Sequence, residues 1–117
     1  MALNLDHIRR YTGEDDALIA EVLGLFREQT SLWLRALDPE ADDESWRAVA
    51  HAIKGSARTL GADALGELCA RAEAMVGADS DKGRRMYIRD RIERNVEGLW
   101  EDILRWTWNW DMRRLRE

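Results

Sequence analysis

Cysteine is almost missing from this chain: Cys69 stands alone among 117 residues. An internal disulfide is thereby excluded, and so is a zinc site built on cysteines. Proline is equally scarce, one residue against eight glycines, and no stretch alternates β-branched with polar residues, which points to an all-helical protein. No apolar run approaches the ~18 residues of a membrane span, and the opening MALNLDHIRR has no apolar signal-peptide region. The chain is therefore expected in the cytoplasm, away from membranes. An excess of base is also missing. The 18 Lys plus Arg stand against 23 Asp plus Glu, a net charge of -5, which argues against binding the backbone of nucleic acid. The nucleotide-binding run G-x-x-x-x-G-K-[ST] is absent, and no carboxylate cluster makes a convincing metal site.

What is present is 45% hydrophobic and 35% charged residues, the balance of a folded globular domain. Residues 1–117 read as one domain, with no internal repeat and no linker. Punctuation divides them into helices. A short first helix is expected from about Leu5 to Tyr11. Thr12-Gly13-Glu14-Asp15 reads as a cap with acidic residues in the first turn, where the helix dipole favours them. Helix two should run from about Glu14 to Leu37, with Leu18, Val22, Leu25, Phe26, Trp33 and Ala36 as its apolar stripe and Gln29 in the same row. Asp38-Pro39 stops it. Asp42 and Asp43 cap helix three, which reaches about Leu60 and ends at Gly61, a natural C′ glycine. Helix four spans about Ala62 to Val76, with Leu65, Leu68, Cys69, Ala72 and Val76 inside. Gly77 and Asp79-Ser80-Asp81 end it. Helix five, about Lys82 to Trp110, carries the stripe Ile88, Ile92, Val96, Leu99, Ile103, Trp106 and Trp110. Long amphipathic helices on short loops predict an antiparallel up-down-up-down four-helix bundle with a short extra N-terminal helix.

On a helical wheel Trp46, Val49, Ala50, Ile53, Ala57 and Leu60 fall within about 100°, the core face of helix three. His51 lies roughly 150° from the centre of that arc, on an outer face with Arg47, Lys54, Gly55 and Arg58. An ordinary surface histidine is the plain reading, but the neighbours are unusual. Lys54 and Gly55 sit at i+3 and i+4, where helical side chains meet. The lysine puts an ammonium beside anything attached to the imidazole. A glycine inside a helix costs about 0.5–1 kcal/mol relative to alanine; on an outward face helix packing does not explain it, and clearance beside His51 does.

The run His51-Ala52-Ile53-Lys54-Gly55-Ser56-Ala57-Arg58-Thr59-Leu60-Gly61-Ala62, followed by Leu65, Leu68 and Glu73, resembles histidine-containing phosphotransfer (HPt) domains. The resemblance extends upstream through Phe26-Arg27-Glu28-Gln29 and covers about Leu3 to Gly77, with helix 82–110 completing the bundle. It implies one phosphorylatable histidine, here His51, which accepts a phosphoryl group from a receiver-domain aspartate and passes it to another receiver. The partners implied are receiver domains of hybrid histidine kinases and response regulators. Docking would use the small and basic residues around His51: Arg47, Ala48, Ala52 and Arg58. Such a carrier has no ATP site and no cofactor, and the magnesium usual in these transfers would come with the receiver. Lys54 would stabilise the phosphoryl group, since phosphoryl transfer depends on positioning and charge more than on covalent help.

Counting across the turns places Gln29 and the Arg71–Glu73 segment level with His51. In the chemotaxis-kinase version of the domain a glutamate matching Glu73 orients the histidine; the plain alternative is a salt bridge to Arg71, Lys54 or solvent. Gln29 reads as a partly buried polar residue with a local partner rather than a second orienter. His7 reads as surface filler and Cys69 as a small core residue. Trp100 and Trp108 point off the stripe with Leu104, where they cover the first helix or form a self-association patch on an otherwise monomeric protein. Two other functions stay open at this point: the phosphoacceptor domain of a larger histidine kinase, and a helical adaptor that binds receivers without being phosphorylated.

Overall fold

A computed structural model describes residues 3–117. Its elements are α1 (Leu5–Thr12), α2 (Asp16–Ala36), α3 (Asp43–Thr59), α4 (Asp63–Glu73) and α5 (Lys82–Leu115), with a 3-10 turn at Gly77–Asp79 between the last two. No strand occurs among the described residues, and none of their helices is long and apolar enough to cross a membrane.

Four of the five helices start on a side-chain cap. Asn4, Asp15, Asp42 and Asp81 accept hydrogen bonds from the backbone N–H groups of His7, Leu18, Ser45 and Arg84, satisfying donors that the helix itself leaves open. Two ends differ from expectation. α4 stops at Glu73 rather than Val76, and α5 continues past Trp110 to Leu115. Nothing in 99–117 is a glycine or proline, so no residue there breaks the last helix.

The turn between α3 and α4 is a Schellman motif. Ala62 N–H donates to Ala57 O at 2.8 Å and Gly61 N–H to Arg58 O at 3.1 Å, with Gly61 left-handed at φ 68°. The half-buried His7 ring lies over this turn, correcting its reading as surface filler. A Cβ on Gly61 would come within 2.7 Å of His7 Cγ. Gly13 also has a positive φ, 69°, but with ψ -148° it lies in the extended region that only glycine adopts, and a Cβ there meets nothing within 4 Å. Gly13→Ala should thus lose the backbone penalty alone, about 1–3 kcal/mol, whereas Gly61→Ala adds the displacement of His7 to a left-handed penalty of about 1–2 kcal/mol. A Gly61→Ala loss in urea no larger than that left-handed penalty would show that His7 yields freely.

The core is lined by Trp46, Ala50, Ile53, Ala57 and Leu60 from the α3 side, by Leu65, Leu68, Cys69 and Ala72 of α4, and by Ile88 through Trp106 of α5. The stripe of α2 differs from the expected one. Ile19, Leu23, Phe26, Thr30 and Leu34 face inward, a rotation of about one residue, or roughly 100°. Leu18 and Leu25 are exposed instead. Thr30 tolerates burial because its hydroxyl donates to Phe26 O at 2.6 Å and accepts from Trp100 Nε1 at 3.0 Å.

Polar ties connect the helices. Trp46 Nε1 donates to Ala72 O at 2.7 Å, joining α3 to the end of α4. Arg89 of α5 donates to Leu34 O and Leu37 O at the end of α2, and Arg113 lies 3.5 Å from Asp16 at its start. The most heavily used is Arg85, 2% exposed. It donates to Met75 O, Pro39 O, Ala41 O and Asp43 Oδ1, and its guanidinium lies 4.9 Å from the Trp46 ring centre. Asp43 also accepts from Gly77 N–H at 2.8 Å. One arginine thus ties the α2–α3 loop, the start of α3 and the segment after α4 to α5.

Candidate functional site

His51 stands in the middle of α3 with its side chain 68% exposed. The residues that pack α3 alternate around the other face, so the ring meets solvent because the apolar period requires it. Its Nδ1 lies 3.4 Å from Glu73 Oε2, across the groove between α3 and α4. The other carboxylate oxygen, Oε1, is shielded from solvent and has the Lys54 ammonium at 2.5 Å. Lys54 is therefore not extended into water: its side chain is only 14% exposed, folded along α3 onto the glutamate. His51, Lys54 and Glu73 form one connected set in which the carboxylate is central.

The charge balance explains why Glu73 can be ionised there. It is the last residue of α4, where the helix dipole disfavours a negative charge. Partial burial, the largest single influence, also pushes its carboxyl upward. The hydrogen bond and charge of Lys54, aided by the His51 contact, outweigh it, so the carboxyl sits below the ordinary carboxylate value. A carboxyl lowered by folding contributes stability above its unfolded value, and that contribution is lost as pH falls through the folded one. The stability difference between wild type and Glu73→Gln should accordingly be full near neutrality and shrink on the acid side. A difference that stays constant with pH would deny Glu73 this role.

Around the imidazole, Arg47, Ala48 and Arg58 are exposed and Ala52 is half-buried. Gly55 is exposed, and a Cβ built on it meets nothing within 4 Å. Gly24, Gly66 and Gly98 are equally open by that measure, so open space alone does not single out Gly55. Its place one turn after His51 does. Gln29 is exposed, not partly buried as expected. It lines a groove of about 230 Å³ with Tyr11, Val22, Leu25, Phe26, Ser56, Thr59 and Leu60, because the rotation of α2 turns its row outward. That groove escaped the sequence reading, which put Leu18 and Leu25 on the core stripe; both are exposed, as is Leu32, and the spacing of seven through the three was the available signal.

Cys69, one turn before Glu73 on α4, is buried. Burial first, and the Glu73 charge second, push its thiol up to about 12, which leaves it an unreactive core residue. Trp100 is half-buried and hydrogen-bonded to Thr30, so it belongs to the α2 contact rather than to a patch with Trp108.

The Hpt-domain family profile matches residues 17–105. Histidine phosphotransferase ShpA from Caulobacter crescentus, known from its crystal structure, is 30% identical, with a TM-score of 0.77 over 98% of this chain and 99% of that one. No match was found among curated protein sequences. A profile that spans α2, α3, α4 and most of α5, and likeness to a histidine phosphotransferase over nearly the whole of both chains, make this protein a member of the Hpt-domain family.

Proposed function

We propose that the protein is a phosphorelay carrier whose phosphoryl acceptor is His51 Nε2. The observation that carries this reading is the exposed imidazole joined at Nδ1 to Glu73. A carboxylate at Nδ1 favours the tautomer with its proton there and leaves the Nε2 lone pair toward solvent. In the step, Nε2 attacks the phosphorus of an aspartyl phosphate on a receiver domain. The N–P bond forms as the bond to the aspartate oxygen breaks, and the carboxylate departs. The resulting cationic ring keeps its Nδ1 proton against Glu73, and the reverse step delivers the group to a second receiver. Lys54 is close enough to exchange Glu73 for the incoming phosphoryl oxygens, which gives it its stabilising role. The divalent cation belongs to the receiver, and the carrier uses no ATP and no cofactor of its own.

The framework for this exchange is an antiparallel up-down-up-down bundle of α2 to α5, with α1 laid across one end. Two ties support that topology: Asp16 at the start of α2 meets Arg113 near the end of α5, and Leu34 at the end of α2 meets Arg89 near the start of α5. Receivers of hybrid histidine kinases and response regulators dock over the outer faces of α2 and α3. Ala48, Ala52 and Gly55 allow close approach, Arg47 and Arg58 flank it, and Leu18, Leu25, Leu32 and the Gln29 groove supply apolar area.

Incubation with a phosphorylated receiver tests the reading. Acid-labile, base-stable phosphate should appear on the protein, and ATP alone should give none. Labelling that needs a kinase ATP site would make the chain the acceptor domain of a larger kinase. Binding without labelling would make it an adaptor.

Gly55 separates folding from transfer. With open space at its Cβ position, Gly55→Ala should raise stability by about 0.5–1 kcal/mol. Transfer should slow, and slow further in Gly55→Gln, whose side chain occupies the receiver's approach. A Gly55→Gln protein that accepts phosphate at the wild-type rate would show that clearance is not the reason for the glycine.

A further inference from the structure

α5 has 34 residues, about 50 Å at ~1.5 Å per residue, and the molecule's longest extent is 57 Å against 21 and 20 Å across. Its buried stripe ends at Trp106, but the helix continues to Leu115. The opposite face of this last stretch is apolar and open. Leu104 is 60% exposed, Trp108 62% and Leu115 77%, with half-buried Met112 between them. Trp108, Asp111, Met112, Arg114 and Leu115 line a shallow groove there. Spacings of four, four and three keep these residues on one side of the helix. The tryptophans on the inner side are differently placed: Trp106 is buried and stacks on Trp110 at 5.9 Å.

The charges outside local pairs are divided by position along this face. Glu97 and Glu101 precede the apolar residues and Arg116 follows them, all three exposed, while exposed Arg105 and Asp111 at the edges of the stripe lie beside Asp102 and Arg114 of the same helix. We propose that this face docks a second copy of the chain in antiparallel orientation, Trp108 against Trp108. Residue 108 lies four from both Leu104 and Met112, and seven from both Glu101 and Leu115. A two-fold axis at Trp108 therefore sets Leu104 against Met112 and brings Glu101 beside Leu115 and Arg116 of the other copy, twice over. Parallel pairing would set Glu101 on Glu101 and Arg116 on Arg116, which like-charge repulsion disfavours. The self-complementary order acid, apolar, base is what selects a second copy as the occupant. The stripe from Glu101 to Leu115 covers about 21 Å at ~1.5 Å per residue, a small interface, so the dimer is reversible and depends on concentration. A central exposed tryptophan is the residue type that dominates such contacts.

Sedimentation equilibrium over a concentration series is the test. The wild-type mass should rise from 13.6 kDa toward twice that value, while Trp108→Glu and, independently, Leu104→Asp remain monomeric with unchanged helix content. Orientation is read by disulfide cross-linking, with buried Cys69 remaining unreactive. Trp108→Cys should link to itself, and Glu101→Cys should link to Arg116→Cys in a mixture faster than to itself. A wild-type mass that stays at the monomer value at the highest soluble concentration overturns the proposal. So does association that survives both substitutions, or faster self-linking of Glu101→Cys.

Discussion

His51→Gln should take no label from a phosphorylated receiver and yet melt like the wild type. The two halves of this result have separate causes. Glutamine has no nucleophilic ring nitrogen, so transfer should fall to background. The side chain it replaces is 68% exposed and makes one polar contact, at 3.4 Å, to Glu73; Lys54 still holds that carboxylate at 2.5 Å. The stability change should therefore stay within about 0.5 kcal/mol, as for other surface positions. Autoradiography after receiver incubation and a thermal melt read the two halves. Label remaining on the variant would have to lie elsewhere, His7 being the other histidine, and would remove His51 from the function.

Arg85→Met should be the most destabilising single change outside the apolar core, at roughly 3 kcal/mol, because several acceptors lose one shared donor. The loss does not come chiefly from the Asp43 pair. Asp43 is 49% exposed, and its carboxyl is held low first by the Gly77 N–H and only secondarily by the arginine; a half-exposed pair of this kind is weak. It comes from the half-buried carbonyls of Met75, Ala41 and Pro39, which lose their donor together, each at about 1 kcal/mol. Methionine keeps most of the aliphatic stem and removes only the guanidinium, with its hydrogen bonds and its place over Trp46. Asp43→Asn should cost far less. Urea denaturation of both variants decides, and equal losses would return the weight to the ion pair.

Much of this structure was legible from residue spacing. α3 carries one apolar stripe, and the core stripe of α5 keeps its spacing from Ile88 to Trp106, so the rotation of both could be read, and His51 fell outward with Gly55 while Lys54 folds back onto Glu73. Counting across the Gly61 turn put the Arg71–Glu73 segment level with His51, because a tight Schellman turn fixes the height of one helix against the next; the family resemblance, not the count, singled out Glu73. α2 failed for a definite reason. It bears two competing rows, the expected Leu18-Val22-Leu25-Trp33-Ala36 and the buried Ile19-Leu23-Leu34, with Phe26 shared between them, and the polar Thr30 lies in the one that is buried. Periodicity favoured the wrong one, and Gln29 went with it. Trp100 was misjudged because its partner, Thr30, was the very residue that argued against burial. Arg85 was not legible at all: an arginine on an inner face is acceptable only where loop carbonyls converge on it, and those carbonyls carry no side-chain signature.

The uneven surroundings of the tryptophans have a spectroscopic consequence. Trp46 is sealed in the core with its N–H bonded to a carbonyl, whereas Trp108 is 62% exposed on the tail. A shielded indole emits to the blue of a solvated one and resists collisional quenchers, so the emission of this protein is a sum of separable parts. Iodide will quench the red edge before the blue, and Trp108→Phe will remove the largest part of that quenchable fraction, half-buried Trp33, Trp100 and Trp110 supplying the rest. Melting of the bundle and events on the tail then report at different wavelengths of one spectrum, with no label attached.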